Sequence, residues 1–154
     1  MGDLKNEEPD SIFSMSYPDF VAYMEQENTP PGGAVSVDWW IRHAPITANN
    51  HLLDLACSTG FSSRQCFKKI GVSAEGVDIS VEAVNSAKIQ AKKIKAESQL
   101  DYKVNDASRL AFGSERFDHV LAGCNFAFIQ NKNKALSECR RVLKEKGSVC
   151  VANF

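Results

Sequence analysis

The chain has 154 residues, 44% of them hydrophobic and 24% charged, and a formal net charge of −1 at neutral pH. That is the composition of one ordinary globular domain, long enough to bury roughly 70% of the surface its unfolded chain exposes. It lacks the basic excess of a nucleic-acid-binding module, and no apolar run approaches the ~20 residues of a membrane span.

Residues 1–11 are expected to form a frayed, acidic terminus, and Met1-Gly-Asp-Leu-Lys-Asn-Glu-Glu8 is acidic where a secretory signal is basic and then apolar. Cytoplasm is therefore the expected compartment. Pro18, at a first helical position, predicts a helix to about Gln26 that offers Phe20, Tyr23 and Met24 for burial. Thr29-Pro-Pro-Gly-Gly33 reads as a turn, dividing an N-terminal segment, 1–28, from the main domain, 29–154. Ala34 to His43 predicts a helix with Val37, Trp40 and Ile41 on one face.

His51-Leu-Leu-Asp-Leu-Ala-Cys-Ser-Thr-Gly-Phe-Ser-Ser63 then reads as a buried strand, a thin turn and a helix start in immediate succession. Leu52, Leu53 and Leu55 form the strand, Asp54 sits near its carboxyl end, and Ala56, Ser58 and Gly60 let a ligand approach the backbone. A helix follows over Phe61 to Ile70, its first N–H groups turned to that ligand. Residues 72–77 form a second strand that Asp78 ends, 18 residues after Gly60. An acid there has two readings: it accepts two hydrogen bonds from a ribose diol, or it caps the next helix. Ser80 already fills the cap, which favours ribose.

The remaining elements follow in alternation. Ser80 caps a helix over 81–95 that repeats Val84, Ala87, Ala91 and Ile94 at helical spacing, with Lys88, Lys92 and Lys95 on its solvated side. Leu100 to Val104 and Phe117 to Cys124 are strands. A helix over 132–144 aligns Ala135, Leu136, Cys139, Val142 and Leu143, and a last strand runs from Ser148 to Phe154. Such alternation predicts an α/β, doubly wound parallel sheet with helices on both faces. The five cysteines, an odd number with no C-x-x-C pair, indicate neither a disulfide framework nor a zinc site.

Four stretches in order resemble the class I S-adenosylmethionine-dependent methyltransferases: Leu53-Asp-Leu-Ala-Cys-Ser-Thr-Gly60, Gly76-Val-Asp-Ile-Ser80, Asn105-Asp-Ala-Ser-Arg-Leu-Ala-Phe112 and Phe117-Asp-His-Val-Leu121. A fifth, Ala135 to Gly147, is similar to the helix and turn before the family's fifth strand. The resemblance implies a Rossmann-like fold and transfer of a methyl group from S-adenosylmethionine to a small-molecule acceptor. It implies cofactor contacts from Asp54 and the backbone of Ala56, Cys57, Ser58 and Gly60. Asp78 with Ile79 would take ribose and adenine, Asp106 with Ala107 the adenine edge, and Asn125 a place just beyond strand four. Asp106 has a second reading as a turn-forming residue.

The chain also departs from the family's pattern. Ala56 and Ser58 stand where glycine is usual; Ala56 is tolerated if its φ is negative, while Ser58 either donates a hydrogen bond to the cofactor or crowds it. Gly147 alone is expected to supply a left-handed helix cap. The family continues past its fifth strand, so the chain is expected to lack the usual C-terminal strands, to be part of a longer enzyme, and to self-associate through an unpaired edge. No catalytic residue stands out among His43, His51 and His119, and no metal cluster is seen. Two other readings stay open: a non-catalytic cofactor- or partner-binding module, and an NAD(P)-dependent oxidoreductase, although the G-x-G-x-x-G turn of the latter is missing.

Overall fold

In a computed structural model, which describes residues 29–152 together with 14, 15, 19, 20, 23, 24 and 27, the predicted alternation forms a five-stranded parallel sheet. The strands are β1 (His51–Leu55), β2 (Ser73–Asp78), β3 (Leu100–Val104), β4 (Phe117–Ala122) and β5 (Leu143–Val151), in the order β3-β2-β1-β4-β5. The helices are α1 (Ala34–His43), α2 (Phe61–Ile70), α3 (Val81–Lys93) and α4 (Lys132–Val142), with a 3-10 turn over Cys124–Phe128. Trp40 of α1, Cys66 of α2 and Val84, Ala87 and Ala91 of α3 pack on one face of the sheet against Leu52, Ala74 and Tyr102. Ala135, Cys139 and Val142 of α4 pack on the other, against Leu53, Leu55 and Val120.

Local chemistry sets the helix ends. Ser80 Oγ accepts the Ala83 N–H at 3.0 Å and starts α3, as expected. Gly71, left-handed at φ +71°, stops α2 while its N–H reaches the Phe67 carbonyl. Two expectations about the last crossover are corrected. Helix α4 stops at Val142 and β5 begins at once at Leu143, because the chain turns directly into an extended residue instead of a glycine cap. Gly147 therefore lies inside β5 without a left-handed φ. Space requires it instead: a β-carbon there would sit 2.7 Å from Leu143 Cδ2 and 2.8 Å from the Asp118 carbonyl, beside the register shift between Phe117 and His119. Leu136 is exposed, so the buried stripe of α4 is narrower than expected.

At the N-terminal side, the Met24 N–H donates to the Phe20 carbonyl at 2.9 Å, and Phe20, Tyr23 and Met24 are exposed where burial was expected. The expectations for residues 1–11, for the ends of that helix at Pro18 and Gln26, and for the last strand at Phe154 lie outside the described residues.

One row across the sheet organises the domain. Asp54 of β1, Gly76 of β2 and Tyr102 of β3 are register neighbours. Side chains in such a row share a face. Gly76 leaves a gap into which the fully buried Tyr102 ring lies: a β-carbon at Gly76 would stand 2.4 Å from Tyr102 Cδ1, and one at Gly60 2.7 Å from its hydroxyl end. Gly76→Ala is expected to destabilise the protein by about 1–3 kcal/mol through overpacking, and to cost clearly less in a Tyr102→Ala background. A double-mutant cycle by urea denaturation checks this.

On the other face, buried Glu75 of β2 accepts from His51 Nε2 at 3.0 Å, from Lys103 Nζ at 3.1 Å and from Arg116. Burial pushes its carboxyl up, but these three donors outweigh burial and bring it down to about 2. A depressed folded value means stability that is present above the ordinary carboxylate range and is lost as pH falls toward 2. The stability difference between wild type and Glu75→Gln, followed by denaturation from pH 6 to pH 3, is expected to shrink as pH falls.

Candidate cofactor site

Beyond β1 the chain makes a tight turn whose backbone, more than its side chains, carries the signal. Ala56, Ser58 and Gly60 all have positive φ, at +52°, +47° and +74°. The condition under which Ala56 would be tolerated freely, a negative φ, is not met: all three positions need the left-handed region, which explains why glycine is favoured there. The turn is held against β2 by the Cys57 N–H on the Val77 carbonyl at 2.9 Å, and closed by the Gly60 N–H on the Cys57 carbonyl at 2.8 Å. Gly60 is required chiefly by the Tyr102 ring beneath it. The Cys57 thiol is buried and pushed well above its ordinary value by that burial and by the nearby carboxylates of Asp54 and Asp78, so it holds its proton.

Each acid at the strand ends is held by donors from the segments that follow β1 and β2. Asp54 is buried; its Oδ2 accepts the Ser63 hydroxyl at 2.6 Å and the Ser63 N–H at 3.1 Å. Burial pushes this carboxyl up, Ser63 and the Arg64 guanidinium pull it back, and the balance is about 6. Asp78 accepts the Ser58 N–H at 2.8 Å on one oxygen and the Ser80 N–H at 3.0 Å on the other. Burial outweighs these amides and leaves its pKa raised. Each carboxylate oxygen has a second lone pair, so Asp78 braces the turn and still offers acceptors to a ligand. Asp106 accepts the Ser108 N–H and hydroxyl on its two oxygens at 2.8 and 2.9 Å, a turn-forming arrangement that leaves a second lone pair on each oxygen. Those same donors lower its pKa.

A cleft of about 300 Å³ opens at the carboxyl ends of the strands. It gathers Ala56, Asp78, Ile79, Asp106, Ala107 and Asn125 from the expected set. Asn125 Nδ2 donates to the Ala56 carbonyl at 2.9 Å, tying the segment after β4 to the turn. A recess of about 10 Å³, room for one water, adjoins it and is lined by Asp54, Cys57 and Ser62 under Thr29 and Pro30. Ser58 and Gly60 line neither; they shape the turn from below. Phe128, Ile129, Gln130 and Asn131 complete the cleft wall. The only hint of them in sequence is an apolar pair just past β4 that belongs to no periodic pattern. Arg64 was also missed: it is buried and its guanidinium reaches the Thr59 carbonyl and Glu27, pinning the turn to the N-terminal segment.

The histidines stand apart from the cleft. His43 stacks on Trp39 at 4.0 Å, His51 joins Ser73 and Glu75, and His119 bonds Ser148 at 2.8 Å. Among the described residues no group of three His, Cys, Asp or Glu side chains could hold a metal ion.

Among the described residues, the Ser58 hydroxyl is the one buried side-chain polar atom without a hydrogen-bond partner. An unpaired hydroxyl on a left-handed residue carries two costs at once. Ser58→Gly is expected to stabilise the ligand-free protein by about 1–2 kcal/mol. Thermal denaturation without ligand checks it, and a loss of stability would contradict the strain.

The methyltransferase domain family matches residues 53–151, the segment that forms the turn, the cleft and the sheet. The crystal structure of MccD protein is 58% identical, with a TM-score of 0.80 over 82% of this chain and 55% of its own. The ubiquinone/menaquinone biosynthesis C-methyltransferase UbiE of Hydrogenovibrio crunogenus is 31% identical over 75% of this chain and 48% of its own length. Phospholethanolamine N-methyltransferase 2 of Haemonchus contortus, in complex with S-adenosylhomocysteine, shares the fold at a TM-score of 0.78 and 24% identity, over 93% of this chain and 35% of its own. The chain thus spans about half the length, or less, of these relatives. With its turn, strand-end acids and sheet order all in place, the chain belongs to the methyltransferase domain family, the class I enzymes that use S-adenosylmethionine.

Proposed function

We propose that this chain binds S-adenosylmethionine in the cleft and serves methyl transfer to a small-molecule acceptor. The observation that carries the reading is the charge of the site. Among the described residues, the ionisable side chains lining the cleft are Asp78 and Asp106, the adjoining recess adds Asp54 and the protonated Cys57 thiol, and no lysine or arginine lines either. A cofactor with a sulfonium and an ammonium is attracted there, whereas the pyrophosphate of a nicotinamide dinucleotide is repelled. Arg64, a cation beside the turn among the described residues, is engaged by Glu27 and a carbonyl. The cleft also lies where the strand order reverses about β1, the usual ligand position in open α/β sheets.

The residues fit the cofactor one part at a time. Asp78 would accept the ribose hydroxyls, Ile79, 70% exposed, would cover one face of the adenine, and Asp106 with Ala107 would read its edge. Asp54, with both serine donors on Oδ2, keeps Oδ1 for the cationic amino end. When bound, the cofactor supplies an electrophilic methyl carbon. The chain's share is to hold that carbon in line with an acceptor and to exclude water, which needs no dedicated base. The absence of a histidine from the described cleft wall is consistent with catalysis by positioning.

The acceptor in this proposal is a small molecule in place of nucleic acid, the compartment is the cytoplasm, and the chain self-associates. The near-neutral net charge supports the first. No helix among the described residues is long and apolar enough to cross a membrane. Among the described residues strand β5 pairs only with β4, and it exposes Val149 and Val151, a surface suited to strand exchange.

Calorimetry with S-adenosylmethionine and S-adenosylhomocysteine tests the binding. Asp78→Ala is expected to weaken it roughly ten- to a hundred-fold, and NAD to give no thermal stabilisation. Wild-type affinity in Asp78→Ala would remove ribose recognition from the account. Turnover is read from the cofactor product, because a sulfonium has three C–S bonds: S-adenosylhomocysteine reports methyl transfer, and methylthioadenosine would mean that another carbon leaves.

A further inference from the structure

Three buried side chains form a continuous line beneath the turn. Tyr102 Oη lies 3.0 Å from Ser63 Oγ, and Ser63 Oγ lies 2.6 Å from Asp54 Oδ2. A serine has one proton to give; with that proton on the carboxylate, the tyrosine is the donor between the two hydroxyls, the Gly60 carbonyl at 3.4 Å from each being the longer alternative acceptor. The direction is therefore set: Tyr102 O–H to Ser63, Ser63 O–H to Asp54. The line crosses three elements, β3, α2 and β1, and exists only because Gly76 and Gly60 let the ring through.

We propose that Ser63 and Tyr102 are positioning residues that hold Asp54 as an oriented carboxylate for the cofactor's ammonium group, so that cofactor affinity is set by this relay. The inference rests on the cofactor reading above and adds to it a determinant outside the cleft. Without the relay a carboxyl at 2% exposure takes a proton, turning an ion-pair partner into a neutral acid. The charged and titratable groups around Asp54 are Arg64 of α2, which favours the anion, Asp78 of β2, which opposes it, and the buried thiol of Cys66 on α2, which burial and Asp54 keep protonated. The Cys57 thiol and the Tyr102 hydroxyl adjoin, and both hold their protons, Tyr102 because burial pushes it above its ordinary range. Glu27 offsets Arg64 from the N-terminal side.

The sign follows. Asp54 must be ionised to meet an ammonium, so affinity rises with pH through its titration near 6. Removing a donor raises that midpoint. Ser63→Ala is expected to move it up by about one pH unit and Tyr102→Phe by about half as much, while Ser63→Thr, which keeps the hydroxyl, stays near wild type.

The experiment has two arms. Carbon-13 NMR titration of the Asp54 carboxyl in the ligand-free 154-residue chain reads the relay directly, and needs no cofactor. Calorimetry with S-adenosylmethionine from pH 5 to pH 8 reads its consequence. The expected result is an upward shift of both midpoints in Ser63→Ala and Tyr102→Phe. Binding by Ser63→Ala should be about five- to ten-fold weaker at pH 6 and converge on wild type by pH 8. An affinity loss of equal size at every pH, with an unmoved carboxyl titration, would overturn the proposal by showing a packing role alone. Shifted carboxyl titrations without any wild-type cofactor binding would instead overturn the cofactor reading. Tyr102→Phe keeps the ring between Gly60 and Gly76, so it remains informative should Ser63→Ala fail to fold.

Discussion

The placement of the Tyr102 ring is the constraint on which the rest of the site depends. Its strand, β3, is two strands from β1, a separation of about 10 Å that a tyrosine spans only across an empty position. Gly76 is that position, and Gly60 is the matching space above it. The ring supports the turn from beneath, and its hydroxyl ends on the serine that holds Asp54. Packing and polar chemistry are thus joined in one contact: a change that displaces the ring alters the shape of the turn and the charge of the acid together.

The turn itself is costly. Two non-glycine residues are left-handed, Ser58 leaves a hydroxyl unpaired, and Asp54 carries charge where burial opposes it. Such costs gathered in one turn of a well-packed sheet mark a site organised for a ligand. The acids order the same segment that they serve: Asp78 accepts the Ser58 and Ser80 amides, so the acid assigned to ribose also fixes the loops on either side of the cleft. A cationic cofactor relieves the accumulated negative charge, and an anionic one adds to it.

Much of this was legible in the sequence because it rests on local pattern. The apolar run at Leu52 to Leu55, the small residues to Gly60 and the spacing to Asp78 depend on near neighbours, and they mark the first two strands and the turn closely. What was not legible depends on contacts between distant strands. Nothing local says that Gly60 is opposed by a tyrosine 42 residues later, that Ala56 is left-handed, or that Gly147 is required by the Asp118 carbonyl rather than by a helix cap. The cleft wall at Phe128 to Asn131 and the buried Arg64 escaped for the same reason: their roles come from tertiary placement, which periodicity does not encode.

The most direct measurement is a crystal structure of the chain with S-adenosylhomocysteine. The account requires the ribose hydroxyls on Asp78, the adenine between Ile79 and the Asp106–Ala107 edge, the amino group toward Asp54, and the Tyr102 ring still seated between Gly60 and Gly76. A ligand bound elsewhere, or bound in this cleft with the Tyr102 ring expelled from beneath the turn, would contradict it.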